Sequence, residues 1–314
     1  MFFHCLCKNT YFGMQPMKYI DVAKSIQESN SGFLKKLPRF LIRLIEKILK
    51  QDELNVILEK YKNCHGADFH HSIVKEFNLN FVISGIENLP ENGRCFFIAN
   101  HPFGIVDGLA LTQTVIDKYG TFKAIGNEAF EFVPNLKPYI ALVNPYGLSS
   151  KEYVLELEKV YQSDVPITHF PAGKVSRHYQ GKIQDPVWHK SVITKAVSCQ
   201  RDLVPFYFHG RNSRLFYGIN RVRRLLGIKL NIELMLLPRE LFLKQNQTIN
   251  FTIGKPISWK RFDTSHTHVQ WAQKVKEHVY KMSADNGNQL EFLPEPIGVC
   301  YYQSDQCNQR PDLC

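Results

Sequence analysis

The sequence has 314 residues, of which 44% are hydrophobic and 22% charged, as is typical of a globular protein that can bury a full core. Its 39 basic and 29 acidic residues give a net charge of +10, which favours an anionic partner: nucleic acid, an acidic membrane surface, or a phosphorylated or carrier-protein substrate. No apolar run reaches the roughly eighteen residues of a membrane-spanning helix, and eight scattered cysteines argue against a small secreted disulfide framework and for a reducing cytoplasm.

The chain begins with an apolar stretch, residues 1–16, that is too short and lacks the basic start and cleavage site of a signal peptide. We interpret it as an extension before a true start at Met17. Residues 17–76 then predict a helical segment that associates with a membrane. Residues 64–71 contain one cysteine and three histidines, but their spacing fits no standard zinc pattern, so no metal site is predicted.

The clearest helix of this segment is predicted over residues 33–50, with Pro38 in its first turn. An apolar stripe along one side faces a basic stripe along the other. Apolar residues fall at 34, 37, 41, 44, 45, 48 and 49, and basic residues at 35, 36, 39, 43, 47 and 50. Such a helix either lies in the interface of an anionic bilayer or packs on its own domain, and the cationic side favours the bilayer.

From residue 77 to residue 283, short apolar strands alternate with helices, which predicts one α/β domain with a central, largely parallel sheet flanked by helices. The site of such a domain lies at the carboxyl ends of strands. Residues 284–314 are polar, include three equally spaced cysteines, and are expected to be a disordered tail. Strands are predicted at 77–84, 95–99, 122–125, 140–143, 166–170, 203–208 and 248–253, and helices at 108–119, 150–162, 188–199, 236–243 and 265–283.

The strand at 95–99 runs into Asn100-His101-Pro102, and Asp107-Gly108 follows shortly afterwards. A histidine at a strand end with a carboxylate one short turn away is typical of a general base and its orienting partner. Pro102 and Gly104 suit a tight turn that brings Asp107 back to His101, where the carboxylate would fix the imidazole tautomer and stabilise the imidazolium. The spacing alone also fits an ordinary His–Asp pair in a loop.

These residues resemble motif I of the lysophospholipid (glycerolipid) acyltransferase superfamily. The five residues between His101 and Asp107 match the hemolysin-like bacterial branch, which has the pattern N-H-P-x-G-x-x-D-G, whereas most members have four. The resemblance implies that His101 and Asp107 are catalytic and that Asn100 and Gly104 contact substrate.

A second stretch, residues 170–177, resembles motif III of the superfamily, commonly F-P-E-G-T-R-S. A glycine after a strand lets backbone approach a substrate, and Lys174 and Arg177 supply cations for a phosphate or a carboxylate. Ala172 stands where glycerol-phosphate enzymes have a glutamate that helps to hold the acceptor, which weakens a lysophosphatidate acceptor. A turn with solvated charges is the alternative. The resemblance assigns substrate contacts to Phe170, Pro171, Gly173, Lys174, Ser176 and Arg177.

Three further positions are candidates. Val204-Pro205 resembles motif IV, usually V-P-V, which implies that these residues bind or pack around the acyl pocket. Lys190 lies in a basic stretch similar to that of the hemolysin-like branch and is interpreted as a phosphate ligand or as the surface start of a helix; Arg211 fits a substrate contact or a salt bridge. Residues 214–236 are basic and apolar and predict a second cationic membrane contact. Residues 254–257 match a closing signature of the superfamily.

The resemblance implies an O-acyltransferase that moves an acyl group from an acyl carrier protein or coenzyme A thioester to a lyso-lipid hydroxyl, without a bound cofactor or metal. It implies a peripheral protein on the cytoplasmic side of the inner membrane. The positive surface would suit acidic acyl carrier protein. The branch includes enzymes that acylate lyso-ornithine and lyso-glycine lipids; lysophosphatidate is the alternative acceptor.

Two other function classes stay open. A serine hydrolase is disfavoured because the sequence has no Gly-x-Ser-x-Gly elbow. A non-catalytic membrane-binding protein would also use the positive charge. Nucleic-acid binding is disfavoured because the basic residues do not interleave with aromatic residues on a recognisable module.

Overall fold

The computed structural model describes residues 18–28, 32–126, 133–142, 151–179, 181–227, 231–284 and 286–293. The interpretation of residues 1–16 as an extension lies outside these ranges, as do the cysteine-containing end of the predicted tail and residues 143–150. Within these ranges, helices alternate with short strands over most of the length, as the hydrophobic pattern predicts.

Seven strands of the described chain form one sheet: β1 (Asn80–Ser84), β2 (Phe96–Ala99), β3 (Lys123–Gly126), β4 (Ile140–Leu142), β5 (Ile167–His169), β8 (Leu203–Phe208) and β9 (Thr248–Ile253). A separate hairpin joins β6 (Arg177–Tyr179) to β7 (Lys182–Gln184). The order in the sheet is β1-β9-β8-β2-β5-β3-β4, and neighbouring strands run parallel except β8 and β9, which pair antiparallel. The prediction of a central, largely parallel sheet flanked by helices is therefore confirmed.

Strand β2 lies between β5 and β8 and is buried on both faces. Its side chains alternate, as the pleat of a strand requires. Phe97 and Ala99 pack into the larger core with helices α5 (Gly66–Glu76) and α6 (Ile105–Tyr119). Phe96 and Ile98 pack into a second core with helices α8 (Ser191–Cys199) and α11 (His268–Lys281). Helices therefore cover both faces of the sheet. The helices of this domain are α6 (Ile105–Tyr119), α7 (Lys151–Gln162), α8 (Ser191–Cys199), α9 (Arg214–Leu225), α10 (Leu237–Phe242) and α11 (His268–Lys281).

The N-terminal segment is helical, but the predicted helix over 33–50 is divided. Pro38 has an extended backbone (φ −61°, ψ 146°) and precedes α3 instead of lying inside its first turn. The break follows because a residue before proline avoids the helical conformation and proline itself cannot donate the helix bond. The helices are α1 (Val22–Glu28), α2 (Gly32–Lys35), α3 (Arg39–Ile48), α4 (Gln51–Lys60) and α5 (Gly66–Glu76).

The apolar side of α3 is only partly buried. Ile42 and Ile45 pack against a small core made by Val22, Ile26 and Leu49. Phe40 and Leu44 stay 68% and 50% exposed, next to the exposed Arg39 and Arg43. Part of the stripe therefore packs on the protein and part faces solvent.

The folded domain extends further than the predicted boundary at residue 283. A short 3-10 helix, Gly287–Gln289, packs against β9, and Phe292 lies in the core beside Trp271 and His278. Residues 286–293 are thus part of the domain and not of a disordered tail. The pattern of the sequence hid this because only Leu290, Phe292 and Leu293 interrupt an otherwise polar stretch.

Candidate active site

His101 lies in the loop that follows β2, at the carboxyl end of the central strand. Its Nδ1 is 3.1 Å from Oδ1 of Asp107, and its ring stacks on Phe170 with the ring centroids 3.9 Å apart. The two atoms are within ion-pair distance, but their geometry does not meet that of a hydrogen bond. Since Nδ1 faces Asp107, Nε2 is the nitrogen that can take a proton from a substrate.

Asp107 is fully buried and is the third residue of α6. One carboxylate oxygen, Oδ2, accepts from the backbone N–H groups of Phe103 at 2.9 Å and Gly104 at 3.2 Å, and Oδ1 accepts from Gly108 N–H at 2.9 Å. These donors and the helix N-terminus compensate the buried charge. The carboxylate is therefore held in place independently of His101.

Gly104 is required by the shape of the turn. Its φ is +92°, and a Cβ there would come within 2.7 Å of Leu237 and 3.2 Å of Val175. Any larger residue would meet both the left-handed backbone penalty and these side chains. The structure gives Gly104 a conformational role, where the motif predicted a substrate contact.

Asn100 is also buried. Its Nδ2 donates to the carbonyl of Phe208 at 3.0 Å, and its Oδ1 accepts from the N–H of Phe208 at 2.7 Å. The amide thereby continues the pairing of β2 with β8 just before His101. The resemblance predicts a substrate contact for Asn100, and this stays a prediction; the structure shows both polar atoms bound to the backbone of Phe208.

Motif III places its residues in three environments. Phe170 covers one face of the His101 ring. Pro171 is buried and its carbonyl accepts from the N–H of His189 at 2.9 Å. Gly173 (φ +60°) and Lys174 are exposed, and a Cβ on Gly173 would lie 3.6 Å from His189. Gly173, Lys174 and the exposed Lys190 thus share one surface, consistent with substrate contact.

The end of motif III turns inward. Ser176 is buried, donates its N–H to the carbonyl of His101 at 2.8 Å and donates its hydroxyl to Oδ1 of Asp185 at 2.6 Å. Ser176 therefore contacts the peptide of the candidate base, where the motif predicted a substrate contact.

Arg177 is buried too and contacts protein groups only among the described residues. Its Nε lies 3.1 Å from Oε1 of the fully buried Glu233, and its Nη1 donates to the carbonyls of Val175 and Ser176. Its guanidinium stacks on Phe216, and burial lowers its pKa. The resemblance predicts that Arg177 binds substrate, and this stays a prediction; the structure shows the side chain buried among protein groups at the start of β6.

The remaining candidates divide in the same way. Val204 and Pro205 are buried in β8, where they pair with Phe97 and Ile98. Of the two roles left open for them, packing is the one that the structure supports. Arg211 is exposed in the loop after β8, and Lys190 immediately precedes α8. Neither side chain forms a salt bridge within the part of the chain that the structure describes.

Asp185 and Trp188 are the site residues that sequence reasoning missed. Asp185 is buried, and besides Ser176 it accepts from the His101 N–H at 3.1 Å and from Nε1 of Trp188 at 2.9 Å. The only local signal is Asp185-Pro186, which is typical of a turn and carries no catalytic information.

None of the helices in the described ranges is long and apolar enough to span a bilayer. No group of three or more histidine, cysteine, aspartate or glutamate side chains is placed there to hold a metal ion.

Comparison with known proteins gives one consistent family. A family model described as Acyltransferase matches residues 24–287. Two curated relatives, each named lyso-glycine lipid O-acyltransferase, are 39% identical (Phocaeicola vulgatus) and 38% identical (Bacteroides thetaiotaomicron) over 264 residues; these cover 84% of this chain and 95% and 97% of the relatives. A crystal structure of the 1-acyl-sn-glycerophosphate acyltransferase PlsC from Thermotoga maritima is 16% identical with a TM-score of 0.41, covering 84% of this chain and 87% of that chain.

Proposed function

Because this chain belongs to the acyltransferase family, we propose that it transfers a fatty acyl group from an acyl thioester to the hydroxyl of a lyso-amino-acid lipid, with lyso-glycine lipid as the first candidate. The names of both curated relatives support acyl transfer to a lyso-lipid. The observation that carries the mechanism is the 3.1 Å contact of His101 with the buried Asp107 at the carboxyl end of β2.

In the proposed reaction, Nε2 of His101 removes the proton from the acceptor hydroxyl as its oxygen attacks the thioester carbonyl. The new C–O bond forms and the C–S bond breaks, and the proton held by His101 passes to the leaving sulfur. Asp107 stabilises the imidazolium between these steps, as the carboxylate does in other His–Asp pairs. Atoms and charge balance without a covalent enzyme intermediate.

The surroundings of Ala172 support an acceptor other than a glycerol phosphate. Its side chain is buried in the core shared by α8 and α11, so no carboxylate stands at this point of motif III. The exposed Lys174 and Lys190 nearby can pair with the carboxylate of an amino-acid lipid. They can equally meet the phosphate of the phosphopantetheine arm that acyl carrier protein and coenzyme A share. The donor is therefore proposed only as a thioester of that arm.

We place the protein on the anionic, cytoplasmic face of the inner membrane through two helices. On α3, Phe40 and Leu44 are exposed beside Arg39 and Arg43. Ile48, at the end of α3, packs against the cluster that contains Phe216 of α9, so the two helices are neighbours. On α9 and just after it, Val222, Leu225 and Leu226 are exposed beside Arg221 and Arg224. Apolar side chains ringed by arginines suit an interfacial contact with acidic lipid.

Acyl transfer tests the reaction and the acceptor together. Membranes from cells that lack amino-acid lipids receive labelled acyl carrier protein thioester and lyso-glycine lipid, lyso-ornithine lipid or lysophosphatidate. We expect transfer to a lyso-amino-acid lipid by the wild type and none by His101→Ala. His71→Ala is the matched control, because His71 forms an exposed His–Asp pair with Asp117 at 3.2 Å, away from the site. Transfer to lysophosphatidate alone would indicate that the protein acts in phospholipid synthesis. Equal transfer by His101→Ala and by the wild type would overturn the mechanism.

Vesicle sedimentation tests the membrane contact. The wild type should bind vesicles rich in phosphatidylglycerol more tightly than phosphatidylcholine vesicles, and Phe40→Ser with Leu225→Ser should weaken that binding. Val82→Ser is the control, because Val82 is also an exposed apolar side chain but lies on the edge strand β1. Binding that is unchanged by the paired substitution would rule out this surface.

A further inference from the structure

Asp185 is a buried carboxylate that touches the candidate base through the main chain. Its Oδ1 accepts from the hydroxyl of Ser176 at 2.6 Å and from the N–H of His101 at 3.1 Å, and its Oδ2 accepts from Nε1 of Trp188 at 2.9 Å. All three partners are donors, so the geometry is that of an ionised carboxylate.

These bonds hold the peptide of His101 from both sides. The N–H of His101 donates to Asp185, and its carbonyl accepts from the N–H of Ser176, which is itself bound to Asp185 through its hydroxyl. Asn100 fixes the preceding residue to β8. The backbone that carries the imidazole is therefore clamped between β8 and the loop after β7.

The main chain of Asp185 is anchored in turn by α11. Its N–H donates to the hydroxyl of Tyr280 at 2.7 Å, and its carbonyl accepts from Nζ of Lys276 at 2.7 Å. Gln273, one turn earlier on the same helix, exchanges hydrogen bonds with the backbone of Trp188. The segment that presents the carboxylate is thus fixed to a rigid element, as positioning of a catalytic group requires.

We propose that Asp185 is a positioning residue of the acyltransferase: it fixes the peptide of His101 so that the ring meets Asp107 and the acceptor hydroxyl, and its charge stabilises the imidazolium. The proposal rests on the proposed function, since it assigns His101 as the base. It adds a second carboxylate that acts through the backbone of the base, next to Asp107 that acts on the ring.

The pKa of Asp185 reflects both its burial and its donors. Burial raises the pKa of this carboxyl above its ordinary value, and the bonds from Ser176 and Trp188 and the nearby His101 offset only part of that rise. Around Asp185, the titratable groups are His101 after β2, Tyr207 on β8, and Lys276 and Tyr280 on α11. No cationic side chain pairs with the carboxylate oxygens within the described structure, although Lys276 reaches the carbonyl of the same residue. A buried charge kept beside a catalytic imidazole, without such a pair, is characteristic of functional sites.

The test compares Asp185→Asn with the wild type in the full-length protein, using the acyl transfer described above. We expect kcat to fall about 10- to 100-fold with the KM values of both substrates unchanged, because a neutral amide oxygen holds the peptide of His101 less firmly than a carboxylate and carries no charge to stabilise the imidazolium. We also expect the acidic limb of the kcat/KM profile to move to lower pH, because loss of a negative charge disfavours the imidazolium. Asp202→Asn is the matched control: Asp202 accepts from the N–H of Trp259 at the opposite end of β8.

Hydrogen exchange gives a measure that does not depend on activity. The N–H of His101 should exchange faster in Asp185→Asn than in the wild type or in Asp202→Asn. An inactive wild type would contradict the proposed function but would leave this result to judge the clamp. An active wild type with unchanged kcat, pH limb and exchange in Asp185→Asn would overturn the clamp and leave the proposed function standing.

A second pair of variants separates charge from packing. The new amide of Asp185→Asn would turn a donor towards the Trp188 N–H, so that variant is expected to lose stability. Asp185→Asn with Trp188→Phe removes that clash, so its melting temperature should equal that of Trp188→Phe alone, which carries the cost of a smaller side chain in the core, while kcat stays low. Recovery of kcat together with stability would show that Asp185 only supports the fold. If neither variant folds, Ser176→Ala still removes one bond of the clamp, and a wild-type kcat in that variant would contradict the proposal.

Discussion

The buried guanidinium of Arg177 offers the sharpest comparison between the sequence motif and the structure. The resemblance to motif III implies a substrate contact, whereas the structure places Arg177 against Glu233 beneath the hairpin. We expect Arg177→Ala to lower the free energy of unfolding and, in the protein that stays folded, to leave the KM for the lyso-lipid unchanged.

The size of the effect follows from the partners of Glu233. Its carboxylate is fully buried and is held by Arg177 at 3.1 Å, Arg223 at 2.8 Å and Asn220 at 2.9 Å. Removal of one partner from a buried ion pair costs about 3–5 kcal/mol. Because Arg223 and Asn220 remain, we expect the lower value, about 3 kcal/mol. At about 2 °C for each kcal/mol in a chain of this size, the melting temperature should fall by about 6 °C.

Thermal unfolding followed by circular dichroism measures this change, and acyl transfer well below the melting temperature gives the KM. Lys174→Ala is the control from the same motif, because the side chain of Lys174 is exposed. The melting temperature of this variant should stay at the wild-type value, while the KM for the lyso-lipid or for the thioester rises. Glu233→Gln should cost about as much as Arg177→Ala, and the two together less than their sum. A wild-type melting temperature with a raised KM in Arg177→Ala would refute the placement of Arg177 in the core.

Three further outcomes are expected. Asn100→Ala removes the hydrogen-bond partners of the buried N–H and carbonyl of Phe208. Urea unfolding should show that the free energy of unfolding falls by about 1–3 kcal/mol for each group, and kcat should fall as well. Unchanged values would show that the amide does not bridge the strands. Gly104→Ala should lower both the melting temperature and kcat, and adding Leu237→Ala should restore only part, because the clash is removed but the positive φ remains. Burial lowers the pKa of His70 to about 3, so its contribution to stability is fully present above pH 6.5. Below pH 6.5 the unfolded chain takes up a proton that the folded protein does not, and the free energy of unfolding falls by about 1.4 kcal/mol for each pH unit. The melting temperature should therefore decline less between pH 7 and 5 in His70→Asn than in the wild type.

The central sheet and the His101–Asp107 pair could be predicted from the sequence because both are written in local patterns. Strands buried on both faces, such as 96–99 and 203–208, are continuous apolar runs, and parallel strands bring their carboxyl ends to one edge. The five residues after His101 contain the glycine and proline that a tight turn needs. The fold class and the contact between His101 and Asp107 therefore follow from short-range information.

The roles of Ser176, Arg177 and Asp185 could not be predicted, because they depend on contacts between distant parts of the chain. Strands β6 and β7 have three residues each and carry polar side chains, so no pattern announces the hairpin between motif III and Asp185. Glu233 binds Arg177 in the core and lies 56 residues after it in the sequence. The composition of that segment indicates only that it is basic and apolar. A motif shows which residue types recur but not which of them face the substrate.

The buried motif residues share one physical task, which is to fix backbone. Asp107 accepts hydrogen bonds from three backbone N–H groups at the start of α6. Asn100 binds the backbone of Phe208, and the N–H of Ser176 donates to the carbonyl of His101. A site assembled in this way holds its base through the main chain, so changes at these positions should lower kcat for every acceptor alike.

Preference for one acceptor must then come from side chains that reach solvent beside His101. Gly173, Lys174 and Lys190 share one surface, and Arg211 is exposed after β8, the strand next to the one that carries His101. These positions are free of the buried bonds that hold the turn, so they can change without loss of the fold. Charge reversal at Lys174 or Lys190 should therefore raise KM for an anionic acceptor or for the thioester while kcat at saturation is kept, whereas an equal loss of kcat for all acceptors would place these lysines within the catalytic machinery.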